Sequence, residues 1–236
     1  MEWIKEYSET QRIKIVQVAK NSLKKEEGKI ALNDLRENRK ISDKIIDDFD
    51  FGYCPTDYDT QLGGRIITPF YDTYGDLLVI TTRHLDRTLK GVDRFWHETF
   101  DKGSYLYGLH YAKQNILKYK KAIVVEGEMD VAVLHSNDFS ITVGVCGSAF
   151  TLSQASLLAR YCSEVYFLFD GDDPGKLAAE RVLKLYNDNG FDAYGIKYIP
   201  VYLPPETDPD EFVITNGRDA LKDLMIRAKQ NNNIWN

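Results

Sequence analysis

From Lys121 onward one pattern repeats: a short apolar run, a turn, then an amphipathic stretch. The apolar runs are Ala122-Ile123-Val124-Val125, Ser140 to Val145, Val165-Tyr166-Phe167-Leu168-Phe169 and about Ala193 to Tyr202. Helices are predicted between them, over about Asp130 to Asn137, Thr151 to Tyr161 and Asp173 to Gly190. Thr151 to Gln154 is a T-x-x-Q capping box. Asp173 is expected to cap the third helix, with Pro174 at its first position and Gly190 closing it. A loop and a short helix follow the fourth run. Strand and helix alternating at this spacing imply a parallel, doubly wound sheet covered on both faces. In such sheets function gathers at the carboxyl ends of the strands.

Carboxylates stand at three of those ends. The first run leads into Glu126-Gly127-Glu128 and Asp130, the third into Asp170-Gly171-Asp172-Asp173, and the fourth into Asp208-Pro209-Asp210-Glu211. Any one of them could be a turn or cap residue. Together, on parallel strands, they converge on one edge of the sheet, where their mutual repulsion favours a divalent cation. Oxygen-only ligands with no His or Cys nearby select Mg²⁺ or Mn²⁺. Gly171 and Gly175 suit close backbone approach or a tight turn.

The first half reads differently. Helix is expected from Met1 to about Lys29, in one piece or two and ending near Gly28, and again after Ser42, a good N-cap, where Ile45, Ile46 and Phe49 share a face. Residues 52–64 are turn-rich. Arg65 to Phe70 and Leu77 to Arg83 flank a polar turn and read as an antiparallel hairpin. The charge also divides. The 236 residues carry 30 Lys and Arg against 36 Asp and Glu, a net −6 that speaks against a uniformly basic nucleic-acid coat. Yet residues 1–121 hold 21 basic and 19 acidic side chains, residues 122–236 hold 9 and 17, and residues 83–121 alone hold 9 and 4. A solvated basic face and a backbone-binding track both fit that stretch.

Cys54, Cys146 and Cys162 are too scattered for a C-x-x-C zinc site or a disulfide framework. With no apolar segment at the N-terminus and no run of about 18 to 20 apolar residues, the chain is expected to be cytoplasmic and to engage no membrane. His84, His97, His110 and His135 are dispersed and read as structural or surface residues. Tyr105, Tyr107, Tyr111 and Tyr119 suit core packing better than base stacking. The tail from Asn231 is expected to fray.

Val124-Val125-Glu126-Gly127-Glu128-Met129-Asp130-Val131, Gly147-Ser148-Ala149-Phe150-Thr151, Asp170-Gly171-Asp172-Asp173-Pro174-Gly175, Leu203-Pro204 and Asp208-Pro209-Asp210-Glu211 together resemble the TOPRIM domain of DnaG-type bacterial and phage primases. Upstream, Phe51-Gly52-Tyr53-Cys54-Pro55, Gly64-Arg65-Ile66-Ile67-Thr68-Pro69-Phe70 and Leu106-Tyr107-Gly108-Leu109 with Ala112-Lys113 resemble, in that order, the first subdomain of the primase polymerase core. The resemblance implies an α/β chain. A smaller, basic, template-binding α+β subdomain (1–121) precedes a Rossmann-like TOPRIM parallel-sheet domain (122–215) and a C-terminal helix and tail (216–236).

It also implies DNA-templated synthesis of RNA primers from ribonucleoside triphosphates on single-stranded DNA, with Mg²⁺ or Mn²⁺ as cofactor. Glu126, Asp170 and Asp172 take the catalytic positions; Asp130, Asp208 and Asp210 join them around the metal. Glu126 is open between metal ligand and proton acceptor. Arg39, Arg65, Arg83, Arg94 and Lys102 fall where the family holds template or nucleotide phosphates, with solvated surface charge as the alternative for each. The sequence departs from the family at Glu128, usually aromatic, at Thr207, usually lysine, and over Asp93 to Phe100, which is short and lacks an asparagine. Neither the cysteines of a zinc ribbon nor the length for a helicase-binding module is present. A phage or plasmid type is expected, with a replicative helicase and a separate zinc-binding protein as candidate partners. A TOPRIM nuclease and a non-catalytic binding module for single-stranded DNA or a replication protein are the competing readings.

Overall fold

The computed structural model describes residues 6–85, 93–147, 149–189 and 195–232. Two compact units emerge, Met1–Phe100 and Asp101–Asn236, each built on its own sheet.

In the first unit, helix α1 (Glu9–Leu23) opens on a capping box: Ser8 Oγ accepts from Gln11 N, and Gln11 Oε1 accepts from Ser8 N. Ile15, Ala19 and Leu23 fall four residues apart and are buried. The helix stops at Leu23 rather than near Gly28. A 3₁₀ turn (Glu26–Gly28), α2 (Lys29–Asn33) and a π-helical turn (Asp34–Asn38) carry the chain onward. Helix α3 (Asp43–Asp48) begins as expected, with Ser42 Oγ accepting from Ile45 N. Strands β1 (Gly52–Tyr53), β2 (Arg65–Tyr71), β3 (Leu77–His84) and β4 (Phe95–His97) form an antiparallel sheet in that order. The β2–β3 hairpin is closed by Asp72, whose Oδ1 accepts from the backbone N–H groups of Tyr74, Gly75 and Asp76.

After β4 comes a carboxylate that the sequence did not mark out. Glu98 is 1% exposed. It accepts from Tyr7 N at 3.0 Å, Ile80 N at 3.1 Å and Arg12 Nε at 2.9 Å, joining the start of the chain, α1 and β3. A buried charge is tolerable because it is paired and its lone pairs are filled.

The second unit runs α4 (Leu109–Tyr119), β5 (Lys121–Val125), α5 (Glu128–Ser136), β6 (Thr142–Gly144), α6 (Leu152–Ala159), β7 (Glu164–Phe169), α7 (Asp173–Asn189), β8 (Lys197–Tyr202) and α8 (Pro209–Asn232). All strand pairs are parallel, in the order β6-β5-β7-β8. The expected closure of α7 at Gly190, the start of the fourth run near Ala193 and the last tail residues lie outside the described residues. Leu109, Ala112 and Ile116 of α4, Ala155 and Leu158 of α6, and Ala179 and Val182 of α7 share one core with Ala122, Val124, Val165 and Phe167 of the sheet. Helix α8 packs against α5, β7 and β8. Both faces are therefore covered, as parallel strands require.

These contacts correct the expected boundaries. The division falls between residues 100 and 101, not at 121, because α4 supplies apolar side chains to the second core. Within α8 the chain breaks at Gly217 (φ 83°, which glycine adopts without strain), so a short helix is followed by a separate C-terminal one, as expected, and Leu221 of the latter is fully buried. Near the end of α8, Lys229 Nζ donates to both carboxylate oxygens of Glu164 at 2.7 and 2.8 Å, tying it to the start of β7.

Candidate active site

Strand β5 connects leftward through α5 to β6, whereas β7 connects rightward through α7 to β8, so the chain reverses between β5 and β7. In an open parallel sheet, the crevice beyond the carboxyl ends at that reversal is where ligands bind. Glu126 follows β5 and Asp170 follows β7. Asp170 N donates to Glu126 Oε1 at 3.4 Å.

Two glycines let the chain fold tightly there. A Cβ on Gly175 would lie 2.1 Å from Asp170 O, so α7 starts hard against the end of β7. One on Gly171 would lie 2.0 Å from Pro204 O. Gly171 N donates to Thr207 O at 3.0 Å, which draws the Pro204–Thr207 loop, and with it Asp208, toward β7. The cap of α7 is Asp172 rather than Asp173: Gly175 N donates to Asp172 Oδ1 at 2.8 Å, and Asp173 is the first helical residue. Asp172 therefore has a structural partner as well as a place in the acidic group. Asp130 likewise accepts from Gly127 N at 3.1 Å, at the start of α5. Asp208 and Asp210 flank Pro209 at the start of α8, where the helix dipole favours negative charge.

Burial and acidic neighbours raise three of the six carboxylates, Glu126, Asp130 and Asp170. Burial, then Glu126, Asp208, Asp172 and Asp210, push the Asp170 carboxyl up to about 7. Burial raises Glu126, with Asp172 and Asp208 adding to the rise and the Asp170 N–H opposing it. Burial, Asp210 and Asp170 hold Asp130 well above the carboxylate range. Asp170 Oδ1 is buried and accepts no hydrogen bond. Among the described residues, however, no three His, Cys, Asp or Glu groups stand close enough to hold a metal ion together. The fit to a hard cation rests on the all-oxygen donor set and that unsatisfied buried oxygen. A cavity of about 240 Å³ opens beside Asp170 and Gly171, walled in part by Phe169, Lys176 and Leu203.

Of the five expected phosphate contacts, only Lys102 belongs to this unit, on a 3₁₀ turn (Lys102–Ser104). Its Cδ lies 4.0 Å from where a Cβ on Gly147 would stand. Sequence reasoning used Cys146 only to exclude zinc and disulfides, yet it lies here: its N–H bonds Glu126 O at 2.9 Å and its φ is 49°. Burial and Glu128 hold its thiol well above the ordinary value, and Lys102 opposes them.

The other four lie in the first unit. Arg65 is corrected: only 5% exposed, its guanidinium donates to the carbonyls of Gln61, Asp93 and Arg94 and so holds the chain before β4. Arg39 is partly exposed at the end of the π-helical turn. Arg83 and Arg94 lie over the exposed ring of Phe95, 5.2 and 5.3 Å from its centre, a cation–π grouping the sequence did not reveal. Two histidines make structural bonds to backbone carbonyls, His97 Nδ1 with Glu98 O and His135 Nε2 with Thr142 O, each at 2.9 Å. Tyr107 is buried, in line with core packing, whereas Tyr119 is exposed.

The Toprim domain family model matches residues 120–197, which span β5 to the start of β8. A solved DnaG catalytic core superposes on 93% of this chain and 79% of its own with a TM-score of 0.84 at 25% identity. A DNA primase of Aquifex aeolicus is 35% identical over 163 residues, 68% of this chain and 32% of the relative. The second unit carries a Toprim domain, and the chain is similar to the catalytic core of DnaG-type primases. The chain spans about a third of the length of the curated relatives it matches. A further neighbour of the same fold, a DnaG primase catalytic domain bound to single-stranded DNA, covers 93% of this chain with a TM-score of 0.83 at 24% identity. Among the described residues no helix is long and apolar enough to cross a membrane.

Proposed function

We propose that this chain joins ribonucleotides into short RNA primers on a single-stranded DNA template. The observation that carries the reading is the group of interacting carboxylates at the chain reversal of a Toprim sheet, with the unsatisfied buried oxygen of Asp170 among them. The bond to be made joins a 3′-hydroxyl to the α-phosphorus of an incoming ribonucleoside triphosphate, with pyrophosphate leaving. Asp170 and Asp172, with Glu126, Asp130, Asp208 and Asp210 around them, would hold Mg²⁺ or Mn²⁺. When bound, the ion supplies positive charge to the phosphoryl oxygens. Glu126 and Asp170 keep the two strand ends in register through their hydrogen bond. Lys102 meets nucleotide phosphate, while Arg39, Arg83 and Arg94 grip the template backbone, with the Phe95 ring available to stack a base. A replicative helicase and a zinc-binding protein are candidate partners.

The test is template-dependent dinucleotide synthesis by wild type and Asp170→Ala with Mg²⁺ or Mn²⁺. Product from wild type alone is expected. Equal product from both would remove Asp170 from the reaction. Labelled DNA incubated with metal and no nucleotides separates the nuclease reading, which requires cleavage there. DNA binding untouched by Asp170→Ala, with no synthesis under either metal, would favour a binding module.

A further inference from the structure

Gln154 does two jobs, and capping α6 accounts for one. Its Oε1 accepts from Thr151 N at 3.1 Å while Thr151 Oγ1 accepts from Gln154 N at 3.1 Å, the reciprocal box read from the sequence. The remaining bonds leave the helix. Gln154 Nε2 donates to Lys102 O at 3.1 Å and to Tyr105 O at 2.7 Å, and Thr151 Oγ1 donates to Gly103 O at 2.5 Å. Three consecutive-turn carbonyls of the Lys102–Tyr105 segment are thus held by one capping pair. Gln154 is 1% exposed, so these bonds form away from water, where losing a partner is costly.

Residue choice supports the second job. Glutamate at this helix position would cap as well and would suit the helix dipole better. A carboxylate, though, has nothing to donate and would face two carbonyl oxygens. Only an amide both closes the box and binds the turn. From that turn Lys102 reaches the loop after β6, alongside Gly147 and Cys146, whose N–H is bonded to the carbonyl of Glu126.

We infer that Gln154 is a positioning residue: its side-chain amide, with the Thr151 hydroxyl, fixes the turn that carries Lys102 and so sets where the Lys102 ammonium stands at the acidic edge. The inference rests on the reading of Lys102 as a nucleotide-phosphate contact, and the experiment separates the two. Binding of ATP with Mg²⁺ is measured by calorimetry for Lys102→Ala, Gln154→Met, Gln154→Glu and the Lys102→Ala/Gln154→Met double variant, with hydrogen exchange of the 102–105 amides alongside. Lys102→Ala is expected to weaken binding roughly tenfold, and each Gln154 variant several-fold with faster exchange of the turn; in the double variant the two losses should fail to add. Gln154→Glu keeps the cap, so a fall in affinity there reports the turn and not the helix. If Gln154→Met does not fold, Thr151→Val, which breaks only the Gly103 bond and half the box, must show the same coupling to Lys102. Unchanged binding by Lys102→Ala would remove the phosphate reading and the inference with it. Weakened binding by Lys102→Ala with unchanged binding or purely additive losses in the Gln154 variants would leave that reading standing and overturn the positioning role.

Discussion

Asp170 carries the most consequence of any single residue in the chain. Its carboxyl is pushed up to about 7 by burial and by Glu126, Asp208 and its other acidic neighbours. Between the ordinary value near 4 and that raised value, the folded state holds a proton that the unfolded chain has released. Stability without metal must therefore fall as pH rises from about 4 to about 7 and level off above, by up to a few kcal/mol. Thermal unfolding in chelator at pH 5 and pH 8 checks the slope. Asp170→Asn is expected to flatten it and, by removing a repelled charge, to raise the pH 8 midpoint by several degrees. Glu98 makes the opposite case, a charge whose loss is costly. Glu98→Ala leaves Arg12 and two N–H groups without their acceptor and should destabilise the chain by about 3 kcal/mol in urea unfolding. A buried carboxylate of this kind is invisible in sequence, where Glu reads as surface; its three partners come from Tyr7, Arg12 and Ile80. Arg65 was misread for the same reason, since nothing local says that carbonyls 28 and 29 residues away will take up its guanidinium.

Elements whose signals are local were legible. The Ser42 cap, the Thr151–Gln154 box, the β2–β3 hairpin and the strand–helix alternation each depend on residues a few positions apart, and each formed. What depends on distant packing was not legible: α4 sides with the second unit because its apolar face meets β5 and β6. The cap of α7 shifted by one residue, from Asp173 to Asp172, because Gly175 packs on Asp170 and starts the helix early. Gly171→Ala tests how the acidic edge is assembled. Its Cβ would push the Pro204–Thr207 loop away, so the proposed primer synthesis should drop sharply while stability falls by about 1 to 3 kcal/mol. The tie between α8 and β7 has its own pH signature. Burial acts to raise Glu164, but the Lys229 hydrogen bonds and charge, with Lys121, outweigh it and lower its pKa. That stabilisation is present above about pH 4.5 and lost as pH falls through the lowered value. Lys229→Ala should cost about 1 kcal/mol at pH 7 and progressively less as pH falls below about 4.5.

Across the whole molecule, a net charge of −6 conceals two different objects. The second unit concentrates carboxylates at one sheet edge; the first presents Arg83 and Arg94 around an exposed aromatic ring. The carboxylates at successive strand ends were readable from the order of apolar runs, whereas the switch-point crevice needed the strand order of the sheet, and the Arg83–Phe95–Arg94 grouping needed the β3–β4 pairing that sets Arg83 opposite Phe95. If that surface grips a template backbone, Arg83→Ala should weaken single-stranded DNA binding similarly for all sequences and reduce the slope of log affinity against log salt by about one. The proposed cation site at the acidic edge is tested most directly by titrating Mn²⁺ into wild type and Asp170→Asn, calorimetrically, in buffers of differing ionisation heat. Wild type is expected to bind with release of a proton at pH 6 that fades by pH 8.5, and the variant to bind at least about tenfold more weakly with little proton release. Equal affinity in the two proteins would show that these carboxylates do not form the cation site.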